Sequence, residues 1–407
     1  MLNTNLMTTR SWLAVIVALG IFCRLAFVFL TPIFYAPDEH SHFNYVKYLS
    51  EHGAFPVLTT KMGDPANEWE YSQPPLYYAA LIPVYRAAQA LLDNQAATVF
   101  ALRFVSVLLW LVNVRLGALW LRQLEIKDDL LRITVLSLLC LLPTYVFISS
   151  VINNDNLLAT LSGGIICLLT RREQPITNAI WLGTLFGLAL LVKQSAIVLA
   201  STIVLAPLIG WWKNRERFVA ALLRAGIAFG VGVAIYSPWA LRNWRMYGTF
   251  FPEQLSVVSK TWPSMAYGVA SAAHNLIKSF WSVSGIANDV SYPFAAIGVA
   301  FMLLSLIGLC LHWKRLDQPG RVLNYPQFPL LAALMIGFAI NVILVLRLGY
   351  EAGMGQGRHL FVLLFPIALV LALGSRSLAL QNSYARVAGF WITYAVGFVI
   401  FSLCRFP

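Results

Sequence analysis

The sequence consists mainly of long apolar stretches separated by short polar turns. Eleven of these stretches come close to the roughly 20 apolar residues that a helix needs to cross the hydrocarbon core of a membrane. They lie at 11–33, 99–120, 131–150, 154–170, 176–192, 194–212, 218–238, 290–311, 328–346, 359–374 and 387–404. The pattern therefore predicts an all-α polytopic membrane protein, with about eleven transmembrane helices in a single transmembrane domain over residues 1–407.

Two of the connections between these stretches are long, at 35–98 and 239–289, and we expect both on the outer side of the membrane. The segment 73–92 of the first loop is long enough to cross, but it contains three prolines, three tyrosines and Arg86. Proline, tyrosine and arginine at close spacing are typical of an amphipathic helix at the headgroup level. We therefore predict interfacial helices in the first outer loop.

The charge of the chain supports this arrangement. With 59% hydrophobic and 11% charged residues, the chain cannot be an ordinary soluble domain, in which roughly 25% of residues are charged. With segment 73–92 in the interface and the N-terminus inside, sixteen basic and six acidic residues fall inside, against thirteen and eleven outside. The net charge of +12 thus divides into +10 inside and +2 outside, which fits the positive-inside rule. The excess orients the protein and does not predict a nucleic-acid partner.

The strongest chemical signal follows the first predicted span. Pro37, Asp38 and Glu39 stand in sequence there, and Pro37 fits the first turn of a helix with both carboxylates at its positive end. Adjacent carboxylates at this place either mark where the span leaves the membrane or provide a general base.

Three short motifs in the same order resemble the GT-C superfamily, which includes protein O-mannosyltransferases, lipid A aminoarabinose transferases and oligosaccharyltransferases. They are Pro37-Asp38-Glu39, Gln73-Pro74-Pro75-Leu76-Tyr77-Tyr78 and Asn153-Asn154-Asp155. Later motifs resemble a bacterial branch that uses polyprenyl-phosphate sugars, namely Pro238-Trp239, Arg242-Asn243, Tyr247-Gly248 and Gln356-Gly357-Arg358. It is the combination and order of these motifs that is specific.

The resemblance implies a GT-C-like glycosyltransferase of the bacterial cytoplasmic membrane with an outward-facing active site. Its donor would be a polyprenyl-phosphate-linked sugar, and its acceptor a glycan, a lipid or a protein. Asp38 matches the catalytic carboxylate, Glu39 its partner and Asp155 a second outer carboxylate. Gln73 stands where other members carry His or Lys, and we include it with Tyr77 among the candidate substrate-binding residues.

A leaving phosphate also needs cations, and the chain offers several near the outer ends of its spans. The candidates are Lys193, Arg242, Arg245, Arg358 and His359. Lys193 could instead snorkel from a helix end, and the arginines at 242 and 245 could contact lipid headgroups. Arg358 has the best claim, because Gly353, Gly355 and Gly357 allow a close backbone approach to a ligand at the start of a helix.

A metal is a further option. His40, His42 and Glu39 could bind a divalent ion, but His-x-His with one neighbouring acid is a weak pattern. We therefore assign no residue as a metal ligand. The five cysteines form no CxxC pair, so we expect neither a disulfide framework nor a zinc site from them. Arg24 lies in mid-span, where we favour a structural pairing.

Two other functions share these features. A transporter or flippase of lipid-linked sugars would also bind a lipid phosphate, but such proteins often have paired repeats and broken midplane helices, which this sequence lacks. A glycan polymerase or ligase also works at the outer face, yet its large outer loop usually falls later in the chain. Both remain alternatives to the glycosyltransferase.

Overall fold

The computed structural model describes residues 9–59, 68–171, 173–214, 217–252, 259–285, 290–316, 328–378 and 384–406. Within these ranges the chain is built from helices, and the β pairing is limited to an isolated bridge between Val283 and Val290. The helices are α1 (Thr9–Leu30), α2 (Glu39–His52), α3 (Leu76–Leu92), α4 (Gln95–Gln123), α5 (Asp129–Leu141), α6 (Pro143–Ile148), α7 (Asp155–Leu169), α8 (Ile176–Val192), α9 (Val198–Asn214), α10 (Phe218–Tyr247), α11 (Met265–Trp281), α12 (Tyr292–Leu316), α13 (Phe328–Ala352), α14 (Leu364–Leu378) and α15 (Tyr384–Leu403). Short 3₁₀ turns at Trp69–Ser72, Gln194–Ile197 and Gly357–Leu363 complete them. The predicted all-α class is confirmed.

Many of the helices are long and apolar enough to cross a membrane. The described residues contain eight such segments: Thr9–Leu30, Gln95–Gln123, Gln194–Trp212, Phe218–Tyr247, Tyr292–Leu311, Leu330–Ala352, Gly357–Leu378 and Ala385–Leu403. Two more apolar helices, α7 and α8, are shorter. Large apolar side chains such as Phe22 and Leu304 are more than half exposed on these helices, as is usual for a surface solvated by lipid. The chain is a multi-pass membrane protein, and the count of eleven spans stays a prediction.

One predicted span, 131–150, is two helices. Pro143 begins α6, and Leu142 before it is extended with φ −61° and ψ 117°, because a proline disfavours the α conformation of the preceding residue. All six residues of α6 are buried, as is most of α5, so this broken pair lies in the centre of the bundle. The chain leaving α6 forms the buried turn 149–154, which leads directly into the acidic start of α7.

Helix α10 is longer than the predicted span 218–238. It continues through Pro238 to Tyr247, since a proline is tolerated inside a membrane helix when neighbouring groups satisfy the freed carbonyl. The second outer connection therefore starts about nine residues later than the predicted 239. Close packing with α8 holds α10: a Cβ added at Gly183 would lie 2.5 Å from the Ala228 carbonyl oxygen.

The first loop contains the two helices that the sequence predicts there, α2 and α3. Arg86 joins them, because its Nη2 donates to the Ser50 carbonyl at 2.9 Å and its Nε to the Ser50 hydroxyl at 3.1 Å. Among the described helices, neither α2 nor α3 qualifies as a span by length and hydropathy.

Polar contacts mark the two ends of the bundle. At one end Thr9 of α1 bonds Asp129 at the start of α5, and Arg376 near the end of α14 bonds Asp128. The opposite ends of α1, α5 and α14 lead to the first loop, the turn 149–154 and Arg358. Arg24, between the ends, is fully buried: it donates to the Ser149 hydroxyl at 2.7 Å and to the Cys140 carbonyl at 2.8 Å, so it is paired within the protein.

Candidate active site

Asp38 occupies the N-cap of α2 in an unusual conformation. Its φ of 60° is in the left-handed region, which aspartate tolerates better than most residues. Its side chain accepts no capping bond from the described turn of α2 and instead accepts a hydrogen bond from Nη2 of Arg358, 320 residues away in the sequence. The predicted place of Pro37 in the first turn is wrong, because α2 begins after Asp38. The backbone conformation thus turns the carboxylate away from its own helix.

The segment around Arg358 is positioned by close packing of protein backbone. A Cβ added at Gly357 would overlap the backbone of Phe280 in α11, and the amide of Gly357 donates to the Ser279 hydroxyl at 2.8 Å. The proposed use of this glycine for close approach to a ligand is therefore wrong. Gly357 allows the 3₁₀ turn to lie against α11, and this packing orients the side chain of Arg358 toward Asp38.

A second carboxylate lies beside the same guanidinium. Asp155 begins α7, and its Oδ1 accepts a hydrogen bond from Nζ of Lys193 at 2.7 Å. Its Oδ2 lies 3.9 Å from Nε of Arg358. The side chains of Asp155, Lys193 and Arg358 are 4%, 10% and 8% exposed, while that of Asp38 is 21% exposed. Two carboxylates and two cations from four separate segments thus meet in one site, and Asp38 is its most accessible member.

The electrostatics of the site keep Asp38 charged. Burial would raise the pKa of its carboxyl, but the Arg358 guanidinium and Lys193 outweigh this and hold that pKa below its usual value. Three buried polar atoms of the site have no hydrogen-bond partner among the described residues: Nε and Nη1 of Arg358, and Oδ2 of Asp155. An anion placed beside Nε or Nη1 of Arg358 would satisfy donors that buried guanidiniums seldom leave unpaired.

Glu39 is engaged elsewhere. Its two carboxylate oxygens bind Nε and Nη2 of Arg103 at 2.8 and 2.6 Å, and both side chains are fully buried. The same oxygens accept the amides of Phe34 at 3.2 Å and Ile152 at 3.1 Å. The pair therefore joins the Asp38 loop to the turn that precedes Asp155, and this geometry favours positioning over contact with a substrate.

Arg103 is a residue that the motif analysis missed. Its Nη1 donates to the carbonyls of Val28 and Thr31 at 2.9 and 2.8 Å, so it also closes the end of α1. The signal was present in the sequence, because an arginine inside the predicted span 99–120 demands a buried partner, as Arg24 does.

The metal candidates differ from the predicted set. His40 packs on Phe34 with ring centroids 4.6 Å apart, and Glu39 forms an ion pair with Arg103. His40, His42 and Glu39 therefore do not form a metal site. In their place, ligand atoms of Asp38, His42 and Glu70 lie within 4.8 Å of one another. Burial lowers the pKa of His42 to about 3, with Asp38 opposing the shift and Lys193 and Arg358 adding to it. A neutral imidazole and two carboxylates could hold a divalent ion.

Tyr77 and Tyr78 connect this cluster to the Asp155 turn. The Tyr77 hydroxyl accepts the amide of Asn153 at 3.0 Å. The Tyr78 hydroxyl lies 2.9 Å from Nδ1 of His42 and donates to Glu70 at 3.3 Å. Gln73 is buried, and its carbonyl accepts the hydroxyl of Tyr45 at 3.1 Å. The Tyr77 hydroxyl thus contacts the turn that leads to Asp155, whereas Gln73 is buried beside Tyr45 of α2.

The remaining candidate cations divide into two groups. His359 lies close enough to Lys193 and Asp155 to interact with them electrostatically, so it belongs to the site. Arg242 donates to the Pro56 carbonyl at 2.6 Å and stacks on Trp239 at 4.5 Å, which ties the first loop to α10. Arg245 is exposed on α10, and no contact within the described part of the chain brings it to Asp38.

Solved structures share this fold at low sequence identity. ArnT of Cupriavidus metallidurans bound to undecaprenyl phosphate matches with a TM-score of 0.58 and 13% identity, covering 96% of this chain and 70% of that one. The Archaeoglobus fulgidus oligosaccharyltransferase tethered to an acceptor peptide gives 0.54 and 13%, over 95% of this chain and 54% of that one. The oligosaccharyltransferase AglB of Archaeoglobus fulgidus in complex with an inhibitory peptide and a dolichol-phosphate gives 0.55 and 12%, over 95% of this chain and 55% of that one.

These matches confirm the GT-C-like fold. This chain spans about half the length of the archaeal oligosaccharyltransferase. No family model and no curated protein matches the sequence.

Proposed function

We propose that the chain is a glycosyltransferase that moves a sugar from a polyprenyl-phosphate carrier to an acceptor hydroxyl or amine. The observation that carries this proposal is that two buried donors of Arg358, Nε and Nη1, have no hydrogen-bond partner among the described residues and lie between Asp38, Asp155 and Lys193. A phosphate fits beside this guanidinium because charged N–H groups form strong hydrogen bonds to phosphate oxygens. The carboxylate of Asp38 on Nη2 of the same guanidinium would then lie next to the reacting centre.

The reaction needs one proton transfer and one displacement. Asp38 accepts the proton of the acceptor group as its oxygen or nitrogen attacks the anomeric carbon. The bond between that carbon and the phosphate oxygen breaks, and its electron pair leaves with the phosphate. Arg358 and Lys193 stabilise the charge that grows there, and the product is the glycosylated acceptor with free polyprenyl phosphate. The proton on Asp38 then passes to solvent, to which this carboxylate is the most exposed of the four groups.

Asp155 and Glu39 have supporting roles in this proposal. Asp155 holds Lys193 through a 2.7 Å hydrogen bond and lies 3.9 Å from Nε of Arg358, so it positions both cations. Glu39 fixes the Asp38 loop against the turn at Ile152 through Arg103. Glu39, which the sequence predicts as the partner of the catalytic carboxylate, therefore has a positioning role.

The carrier and the cell compartment follow from the membrane context. Two of the similar solved structures hold undecaprenyl phosphate or dolichol-phosphate, and this chain is built from helices apolar enough to cross a membrane. With the basic excess inside, the site faces outward from a bacterial cytoplasmic membrane. The acceptor is then a glycan, a lipid or a protein of the cell envelope.

The experiment is a turnover assay with purified protein in liposomes of bacterial membrane lipid. A panel of undecaprenyl-phosphate-linked hexoses and pentoses is offered, and release of undecaprenyl phosphate is measured. We expect release from at least one donor. Binding of undecaprenyl phosphate without release from any of the sugars would contradict the transferase and favour a carrier or flippase.

In the same assay, Arg358→Gln should lower kcat/KM for the donor by about 10- to 100-fold, because it removes a charge-assisted phosphate contact worth about 1.5 to 3 kcal/mol. Arg358→Lys keeps the charge but loses the planar guanidinium, so its kcat/KM should lie between that of the wild type and that of Arg358→Gln. Arg347→Gln is the matched control: Arg347 is 69% exposed and pairs with Glu351 one helical turn away. An Arg358→Gln variant as active as this control would refute the phosphate contact.

A divalent ion is a second part of the proposal. Asp38, His42 and Glu70 would hold it, and when bound it would supply positive charge beside the reacting phosphate. We expect protein stripped with EDTA to bind one equivalent of Zn²⁺ or Mn²⁺, measured by calorimetry, and Glu70→Gln to weaken this binding at least tenfold. Glu68→Gln, two residues away in the same loop, is the control. Equal metal binding by Glu70→Gln and Glu68→Gln would contradict the assignment of the ion to Asp38, His42 and Glu70.

A further inference from the structure

A cavity lies at the end of the bundle opposite the candidate active site. It has a volume of about 400 Å³ and is formed by α5, α12, α14 and α15, with Ala300, Phe301, Val387 and Trp391 in its lining. Arg376 also lines it, eighteen residues after Arg358. At ~2.0 Å per residue in a 3₁₀ turn and ~1.5 Å in an α-helix, the two arginines are about 30 Å apart along the chain axis. The cavity is therefore separate from the site of transfer.

The walls of the cavity are apolar, and its rim faces the outside of the bundle. Ile297, Leu304 and Phe390 all line it and are 42%, 56% and 39% exposed. Exposed apolar side chains at this depth are solvated by acyl chains in a membrane protein. A cavity of 300 to 1,000 Å³ is the usual size for a bound small molecule, so this one can take part of a chain of that kind.

The polar end of the cavity is positive. Arg376 and Arg386 both line it, at the end of α14 and the start of α15. Arg376 donates to Asp128 at 2.7 Å, which holds its guanidinium in place. Arg386 is exposed, and within the described ranges no carboxylate forms an ion pair with it. Two guanidiniums against one carboxylate leave this end with one surplus positive charge.

We propose that this cavity is a binding site for an anionic phospholipid of the leaflet opposite the active site. One acyl chain lies between Phe301 and Trp391, and the phosphate group binds Arg386. The charge complementarity selects an anionic headgroup, because a zwitterionic lipid brings a cation of its own to the same guanidinium. Since the lipid contacts both α14 and α15, it also stabilises their packing.

The test is native mass spectrometry of the full purified chain, with phosphatidylglycerol and phosphatidylcholine of identical acyl chains as probes. The wild-type protein should retain phosphatidylglycerol in preference to phosphatidylcholine. Arg386→Gln should lower the retained phosphatidylglycerol about fivefold, the effect of one basic residue near an anionic headgroup, and leave phosphatidylcholine unchanged. Arg115→Gln is the control for charge, because Arg115 is exposed on α4 and does not line the cavity.

A second variant tests the apolar part. Ala300→Trp fills the cavity, so it should lower the retention of both lipids, whereas Ala296→Trp on the same helix, also exposed but outside the lining, should not. Thermal unfolding in phosphatidylcholine shows whether each variant is folded. Equal retention of the two lipids by the wild type would overturn the proposal. So would wild-type retention of phosphatidylglycerol by Arg386→Gln, or of both lipids by Ala300→Trp.

Discussion

Replacing Asp38 by asparagine is expected to lower the rate of sugar transfer by 100- to 10,000-fold, the usual contribution of a positioned general base. An amide has nearly the same shape as a carboxylate but cannot accept the proton of the acceptor. Binding of undecaprenyl phosphate to protein treated with EDTA should remain, because Nε and Nη1 of Arg358, the atoms assigned to the phosphate, do not contact Asp38. The rate is measured by release of undecaprenyl phosphate, and binding by retention of the labelled lipid.

The matched control for this variant is Asp93→Asn in the same loop. Asp93 ends α3 with φ 41° and is exposed, a place where asparagine is equally well tolerated. It should keep the wild-type rate. Full transfer activity in Asp38→Asn would remove the general base from the account, while a loss of activity in both variants would point to a disturbed loop.

Replacing Arg103 by methionine should destabilise the protein by about 3 to 5 kcal/mol, because it leaves the fully buried Glu39 carboxylate without its partner. The end of α1 and the turn at Ile152 would also lose their connection to that carboxylate. Thermal unfolding in a fixed detergent measures the effect. Arg132→Met should change stability by less than ~1 kcal/mol, since its pair with Asp129 is about one-third exposed.

A double variant separates the ion pair from simple loss of packing. In Glu39→Gln with Arg103→Met no buried charge is left, so this protein should be more stable than Arg103→Met alone. Strictly additive effects of the two substitutions would show that the pair is not coupled. That result would contradict the positioning role assigned to Glu39.

The sequence predicts the members of the site better than their partners. Asp38, Asp155, Lys193 and Arg358 could each be selected because a charge near an apolar span needs a functional or structural reason. The contacts of Arg358 with Asp38 and Asp155 depend on packing between segments more than 200 residues apart. Local sequence patterns cannot predict such packing.

Other features of the fold were hidden for definite physical reasons. Hydropathy alone joins α5 and α6 into one span, although the conformational effect of Pro143 on Leu142 separates them. Glu70 lies in a polar loop, where a carboxylate is ordinary, and only the fold brings it to His42. The place of Arg242 in the sequence suggests a phosphate ligand, but in the structure its guanidinium donates a hydrogen bond to the carbonyl of Pro56.

The most direct test of the central claim is an experimental structure of the chain with undecaprenyl phosphate bound. The account predicts phosphate oxygens within hydrogen-bond distance of Nε or Nη1 of Arg358 and of Nζ of Lys193, with the Asp38 carboxylate facing the position of the sugar. A phosphate bound at another place, with the same atoms of Arg358 still unpaired, would contradict it.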